Sequence, residues 1–371
     1  MTHMTYLEAL VVGAVQGITE LFPVSSLGHN VLIPGLVGGS WAADLNVSAP
    51  QSPYLAFIVG LHVATAIGLL CYFWRDWIRI ITGFLTSIRD RDVRTTDQKL
   101  AWMLILATIP VGIAGVLLEH EFRVFFGKPV RAAIFLVVNG LILYAGERFR
   151  TRRSRQADAE IAGQRAAAVR PAGTTERQRV GSAAAAGSPA AGVDTPAVGA
   201  DTPAAGADTP AVGADTATVP ILAANTGGTA APMAGSAAAA MTRQDEIQLG
   251  IEADQRLTQR TFPDAVLIGA AQILALLAGI SRDGVTMVAG MFAGLSREDA
   301  ARFAFLLATP VIFAAGVLKI PDLWQYGRGD YGPILVGSIV SGIGAYLSVR
   351  FLVRYFRTST LTPFAIYCLV V

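Results

Sequence analysis

Charged residues are scarce in this 371-residue sequence. Asp, Glu, Lys and Arg make up 15% of it, against roughly a quarter in soluble domains. Hydrophobic residues make up 53% and the mean hydropathy is +0.50. An ordinary soluble domain is excluded, and an integral, polytopic membrane protein is expected. Excess charge of one sign is also lacking. The formal balance is +2, which gives no electrostatic footprint for nucleic acid, and the basic residues cluster beside apolar spans. Cysteine is nearly absent: Cys71 and Cys368 both lie inside apolar runs, which excludes a disulfide framework and makes them small packing residues. The N-terminus has no basic stretch leading into an apolar core with a small-residue cleavage site, so no cleavable signal peptide is expected.

What is present is a set of apolar runs of spanning length. Candidate helices cover 54–74, 100–118, 131–146, 301–319 and 332–352, most of them near the roughly 20 residues that a bilayer requires. Two further apolar regions, 6–36 and 263–295, are interrupted by Pro, Gly, Ser and charge. They read as re-entrant helix–loop–helix hairpins, which are tolerated at depth where they line a protein-enclosed cavity. Lys and Arg follow the first, third and fifth spans: Arg75, Arg79, Arg89, Arg91, Arg94 and Lys99, then Arg148 to Arg155, then Arg350, Arg354 and Arg357. The positive-inside rule places those loops in the cytoplasm. The two hairpins then open from opposite sides, as in an inverted-topology repeat.

The sequence repeats itself in the same sense. Gly13-Ala14-Val-Gln16 recurs as Gly269-Ala270-Ala-Gln272, and at that offset Leu21 meets Leu277, Ser25 meets Ser281 and Gly28 meets Gly284. Leu106-Ala107-Thr108-Ile-Pro110 echoes Leu307-Ala308-Thr309-Pro310. The expected fold is therefore an all-α polytopic membrane protein, an inverted repeat with two re-entrant hairpins and about six spanning helices. Residues 1–150 form the first membrane repeat and 261–371 the second. The last apolar run, from Thr362, is too short to span, which reads as a C-terminally incomplete repeat. Residues 151–260 between them are rich in Ala, Gly, Thr and Pro, with Gly-Ala-Asp-Thr-Pro-Ala-Val units between Gly192 and Val219. They read as a disordered cytoplasmic linker.

The chemistry is concentrated in the two hairpins. Gln16-Gly-Ile-Thr-Glu20-Leu-Phe-Pro-Val-Ser25-Ser26-Leu-Gly-His29 places a carboxylate, two hydroxyls and an imidazole in an apolar setting. Ionisable groups at membrane depth are functional candidates by default. Gln16 and Glu20, spaced i, i+4, share a helical face; Glu20 suits a divalent cation, with Gln16 beside it, or a proton taken from a nucleophile. Pro23 and Gly28 bracket a turn that frees backbone N–H groups for phosphate. Ser25 or Ser26 is able to attack phosphorus beside a base, and His29 to serve as acid, base or nucleophile. The second segment, Gly279-Ile-Ser281-Arg282-Asp283-Gly-Val-Thr286, supplies a guanidinium that grips phosphate bidentately, with Ser281 and Thr286 as further donors. Gln272 is expected to hydrogen-bond between helices. His62 either lines the site or packs, with packing preferred, and Arg297, Glu298 and Asp299 read as a helix-start charge cluster.

These two motifs, with Tyr72-Phe-Trp-Arg-Asp76 and Phe303-Ala-Phe-Leu-Leu-Ala-Thr-Pro310, resemble the undecaprenyl-diphosphate phosphatase family linked to bacitracin resistance. The resemblance covers both halves, about 1–150 and 261–371. It implies removal of the terminal phosphate of a C55 isoprenoid diphosphate, recycling the lipid carrier of cell-wall synthesis in the bacterial cell membrane, with a divalent cation such as Mg²⁺ or Ca²⁺. It implies functional roles for Gln16, Glu20, Ser26, His29, Ser281, Arg282 and Thr286. Two positions depart from the family pattern: Ala278 replaces a usual Pro, and Asp283 a usual Ser. Asp283, next to Arg282, is expected to be ionised and to compete with substrate phosphate. The nucleophile stays open among Ser26, His29 and water, and so does homo-oligomer formation. The rival reading is a transporter or flippase of a polyprenyl phosphate or other anion, since inverted repeats with broken helices also build transporters.

Overall fold

A computed structural model describes residues 4–45, 53–126, 128–168, 243–326 and 331–371, and among them every regular element is helical. Four helices contain stretches long and apolar enough to cross a membrane: Thr96–Leu118, Pro129–Ala162, Arg297–Leu318 and Tyr331–Thr358. A fifth is broken, Phe57–Tyr72 followed by Trp74–Asp90 at 86°. The protein is an all-α, multi-pass membrane protein. The expected span over 54–74 ends at this bend, where the chain meets Arg75, Asp76 and Arg79. Beyond it α5, Trp74–Asp90, is amphipathic. Ile80, Gly83 and Ser87 face the protein, while Ile78, Ile81, Leu85 and Ile88 are exposed.

The two interrupted regions are pairs of short helices. The first is α1, Tyr6–Thr19, and α2, Ser26–Val37. The second is α9, Phe262–Ala270, continued by a 3₁₀ turn Ala271–Leu276, and α10, Arg282–Phe292. Their local chemistry runs in parallel at the offset seen in the sequence. Thr5 caps α1 in a capping box with Glu8, and Thr261 caps α9 in one with Asp264. Ser25 caps α2 by accepting from the Gly28 N–H, and Ser281 caps α10 by accepting from Gly284. Such caps satisfy amides that the helix itself leaves unpaired.

Each hairpin packs on a long helix of the other half. α1 lies against α12, Tyr331–Thr358, and α9 against α6, Thr96–Phe126. Glycine permits both approaches: a Cβ on Gly13 would overlap the Gly337 carbonyl oxygen, and one on Gly269 the carbonyl of Ala107. Small residues at membrane helix contacts let backbones meet closely, which is where such packing gains its dispersion energy. The central helix α4, Pro53–Tyr72, packs on α12 and on α11, Arg297–Tyr326.

The region expected to be a linker is narrower than its composition suggests. Helix α7 runs from Pro129 to Ala168, and α8 covers Arg243–Leu257. Residues 169–242, with the Gly-Ala-Asp-Thr-Pro repeats, lie outside the described residues. The flanks fold because they are built from good helix formers, Ala, Arg, Gln and Glu, and because α8 has a buried face. On that face Asp254 is fully buried. Its Oδ1 and Oδ2 accept from Arg302 Nε and Nη2 at 2.8 and 2.9 Å, and Oδ2 also from Arg79 Nη2 at 2.6 Å. Asp76 completes the cluster, 2.9 Å from Arg79 and 2.8 Å from Arg302. Both halves and α8 belong to one compact unit, Met1–Glu160 with Thr242–Val371. The expected helix-start cluster is engaged as well: Arg297 pairs with Glu147, Asp299 with Arg256 and Glu298 with Arg357. The final apolar run forms α13, Thr362–Val370.

Candidate active site

The site forms where the tips of the two hairpins meet. Asn139, fully buried on α7, holds the tips together. Its amide nitrogen donates to the Pro23 carbonyl at 2.9 Å, and its oxygen accepts from the Ser281 N–H at 3.0 Å. Between the helices of the first hairpin Ser25 adopts φ 68°, one of two non-glycine residues with positive φ among the described residues. This left-handed backbone is strained for a side chain with a Cβ. The turn places Ser26 at the first position of α2 with its hydroxyl facing back toward Glu20.

Glu20, buried at the C-terminal end of α1, is the hub. Its Oε1 accepts from Arg282 Nη2 at 2.7 Å. Its Oε2 accepts from Gln16 Nε2 at 2.7 Å and from Ser26 Oγ at 2.5 Å. Gln16 is itself oriented by Asn30, whose amide nitrogen donates to Gln16 Oε1 at 2.6 Å. The hub is thus a carboxylate with a hydroxyl on one oxygen and a guanidinium on the other. Glu20 is closed off from the surface, whereas Ser26 and Arg282 remain partly open. The open side of the cluster presents the hydroxyl and the guanidinium, with the carboxylate behind them. Arg282 spends one terminal nitrogen on Glu20, and its Nε has no hydrogen-bond partner among the described residues.

The other predicted residues lie nearby and are hydrogen-bonded to their surroundings. His29 is buried; its Nδ1 donates to the Ser25 carbonyl at 2.7 Å, and its Nε2 meets the Tyr367 hydroxyl at 2.8 Å. Both ring nitrogens are therefore occupied. Ser25 and Ser281 are buried N-caps, and the Thr286 hydroxyl donates to the Arg282 carbonyl at 2.7 Å.

Three expectations are corrected. His62, expected to pack in preference to lining the site, sits with Nε2 3.5 Å from Glu20 Oε2. The signal was available: an imidazole in the apolar run of α4 obeys the same depth rule that singled out Glu20. That rule also picks out Asn139, which the sequence reading passed over. Gln272 makes no hydrogen bond between helices; neither amide atom has a partner among the described residues. Asp283 is not an exposed competitor in front of the guanidinium. It is 1% exposed, its carboxylate oxygens have no hydrogen-bond partner among the described residues, and Arg282 Nε lies 3.6 Å away.

A resident cation does not fit the donor set. Among the described residues no three His, Cys, Asp or Glu side chains converge as a metal site. Both Glu20 oxygens are engaged by Arg282, Gln16 and Ser26, and Gln16 has turned its nitrogen to Glu20 and its oxygen to Asn30.

The chain matches the family model described as "Bacitracin resistance protein BacA" over residues 9–169 and 218–371. Among curated proteins it is 51% identical to a protein of Mycolicibacterium paratuberculosis named undecaprenyl-diphosphatase, over 99% of this chain and 95% of the relative. It is 51% identical to undecaprenyl-diphosphatase 1 of Frankia casuarinae, over 100% of this chain and 97% of the relative. A more distant relative, undecaprenyl-diphosphatase 2 of Burkholderia orbicola, is 34% identical over 96% of this chain and 90% of its own length.

Proposed function

The chain belongs to the bacitracin resistance protein BacA family, and from that premise we propose that it hydrolyses undecaprenyl diphosphate to undecaprenyl phosphate and inorganic phosphate. This activity recycles the lipid carrier of cell-wall synthesis in the bacterial cell membrane and underlies bacitracin resistance. The observation that carries the reading is the contact of Ser26 Oγ with Glu20 Oε2 at 2.5 Å, beside a guanidinium held on the other carboxylate oxygen at 2.7 Å. A nucleophile, its base and an anion clamp converge there. A carrier of anions needs the clamp and has no use for the nucleophile and base.

In this reading Arg282 binds the terminal phosphoryl group through the part of its fork that Glu20 leaves open. Ser26 Oγ attacks the terminal phosphorus and gives its proton to Glu20 Oε2. The anhydride P–O bond breaks, and its electron pair leaves with the lipid monophosphate. Water then attacks the seryl phosphate. The Ser26–phosphorus bond breaks, Glu20 returns the proton to Ser26 Oγ, and inorganic phosphate departs. Arg282 stabilises the charge that builds on the equatorial oxygens during both displacements. Ser25, Ser281 and Thr286 hold the helix starts and loop that shape the phosphate cradle, and His29 braces α2 against α13. A divalent cation such as Mg²⁺ or Ca²⁺ would supply charge neutralisation on the diphosphate itself, in keeping with the preference of Mg²⁺ for substrate phosphates over all-protein cages.

The test is chemical. Purified protein in detergent, given C55 isoprenoid diphosphate and Mg²⁺, is expected to release inorganic phosphate and leave the lipid monophosphate. Intact lipid diphosphate after prolonged incubation would return the protein to the carrier reading.

A further inference from the structure

His62 lies on α4, outside both hairpins. Its Nδ1 is 2.8 Å from the Ile58 carbonyl oxygen. A carbonyl only accepts, so Nδ1 carries the hydrogen, and the lone pair of the neutral ring is on Nε2. That nitrogen points at the site, 3.5 Å from the same Glu20 oxygen that contacts Ser26. The side chain is 27% exposed, whereas Glu20 is nearly sealed. His29 offers no such position, because Ser25 and Tyr367 occupy both its nitrogens.

We propose that His62 is the terminal proton acceptor of a Ser26–Glu20–His62 relay. The inference rests on the phosphatase reading above and extends it. The reason is electrostatic. Glu20 must take the Ser26 proton, yet a neutral Glu20 gives up its ion pair with Arg282 at the moment when Arg282 is needed on phosphate. Passing the proton from Oε2 to Nε2 restores the carboxylate and the pair. When Ser26 Oγ attacks, the Oγ–P bond forms and the anhydride P–O bond breaks. The hydroxyl proton moves to Oε2 and on to Nε2, leaving an imidazolium beside an ionised Glu20. During hydrolysis of the seryl phosphate the proton runs back through Oε2 to Ser26 Oγ as the Oγ–P bond breaks. No oxidant or further reactant enters. Ile58 is the positioning partner, since its carbonyl fixes the tautomer that leaves Nε2 free.

The experiment compares His62→Ala and His62→Gln with wild type in detergent, on C55 isoprenoid diphosphate with Mg²⁺. General acid–base groups contribute about 10²–10⁴-fold, so both variants are expected to lose about 100-fold or more in kcat. KM should stay within about threefold, because Arg282 still binds the phosphate. Adding free imidazole to His62→Ala should restore at least about tenfold of the lost kcat, and no restoration is expected in His62→Gln, whose amide fills the space. A packing role would not respond to imidazole. Turnover within about threefold of wild type in either variant overturns the relay, and so does a folded His62→Ala that imidazole leaves unchanged. Where His62→Ala does not accumulate, His62→Gln decides alone: a normal kcat overturns the proposal, and a low kcat at an unchanged melting temperature supports it. A wild-type protein that releases no phosphate contradicts the phosphatase reading instead, so the two failures are distinct.

Discussion

Glu20 Oε1 and the Arg282 guanidinium meet at 2.7 Å although 262 positions of sequence separate them. One residue ends the first helix of the first hairpin, and the other begins the second helix of the second. The pair has two uses. It joins the halves at the tips of both hairpins, and in the proposed mechanism it holds a base and an anion clamp in fixed relation. Breaking such a pair by removing one partner leaves the other charge buried and uncompensated.

Arg282→Lys tests what the clamp needs. Lysine keeps the positive charge and loses the planar fork that serves Glu20 and phosphate together. The expected result is a fall in kcat/KM of about 100-fold, corresponding to about 2.7 kcal/mol of transition-state stabilisation. Steady-state kinetics on C55 isoprenoid diphosphate measure it. Activity close to wild type would reduce Arg282 to a point charge.

Deletions between the halves separate the inert part of the connection from the working part. Replacing 169–242 by a short flexible segment is expected to leave hydrolysis intact. Extending the deletion to 255 removes Asp254, which is fully buried and pairs with Arg302 and Arg79. Loss of one partner from a buried ionic cluster costs about 3–5 kcal/mol, so the longer deletion should melt at a markedly lower temperature and lose activity. Thermal denaturation and phosphate release on both proteins check this. Equal behaviour of the two would mean that α8 contributes nothing to the folded unit.

How far the sequence reaches follows from residues such as these. The spans, the interruption of both hairpins and the pairing of Ser25 with Ser281 follow from hydropathy and from small polar residues in apolar surroundings. Glu20, Ser26 and Arg282, which the structure brings together, stand out because a charge or hydroxyl at depth demands a partner. The same demand was made by His62 and Asn139, but each is a single polar residue in a long apolar run, with no neighbouring motif to mark it. The bend after Tyr72 and the helix containing Asp254 were hidden for another reason. Both carry members of an ion-pair cluster, Asp76, Arg79, Asp254 and Arg302, drawn from residues far apart in the chain. Composition averaged over 151–260 masked a helix whose stability comes from tertiary contacts.

Cation binding offers a third test. Both Glu20 oxygens are engaged, and no cluster of three metal-binding side chains occurs among the described residues. Calorimetric titration of Mg²⁺ into the substrate-free protein is therefore expected to show no saturable site at millimolar concentration. Chelation by EDTA should still abolish hydrolysis, because the proposed reading brings the cation in on the diphosphate. A stoichiometric Mg²⁺ site in the free protein would contradict this arrangement.

Asp283 is buried at 1% exposure, with Arg282 Nε at 3.6 Å and no hydrogen-bond partner on either carboxylate oxygen among the described residues. Ser in its place removes the desolvated carboxylate and lets a hydroxyl bond back to the preceding helical turn. Asp283→Ser is expected to melt no lower than wild type and to lower KM, because Arg282 then turns more fully to phosphate. A fall in both melting temperature and activity would show that Asp283 is the support holding the guanidinium in place.

The most direct test of the account is phosphate release by Glu20→Gln beside wild type, both purified in detergent with saturating C55 isoprenoid diphosphate and Mg²⁺. Glutamine keeps the shape of Glu20 and much of its hydrogen bonding to Gln16 and Ser26, and removes only the ability to take the Ser26 proton and hold a negative charge against Arg282. The account predicts steady release of inorganic phosphate from wild type and a loss of about 10³-fold or more in kcat for the folded variant. Glu20→Gln turning over at a rate near wild type would contradict it, because the carboxylate at the meeting point of the two hairpins would then have no part in the chemistry.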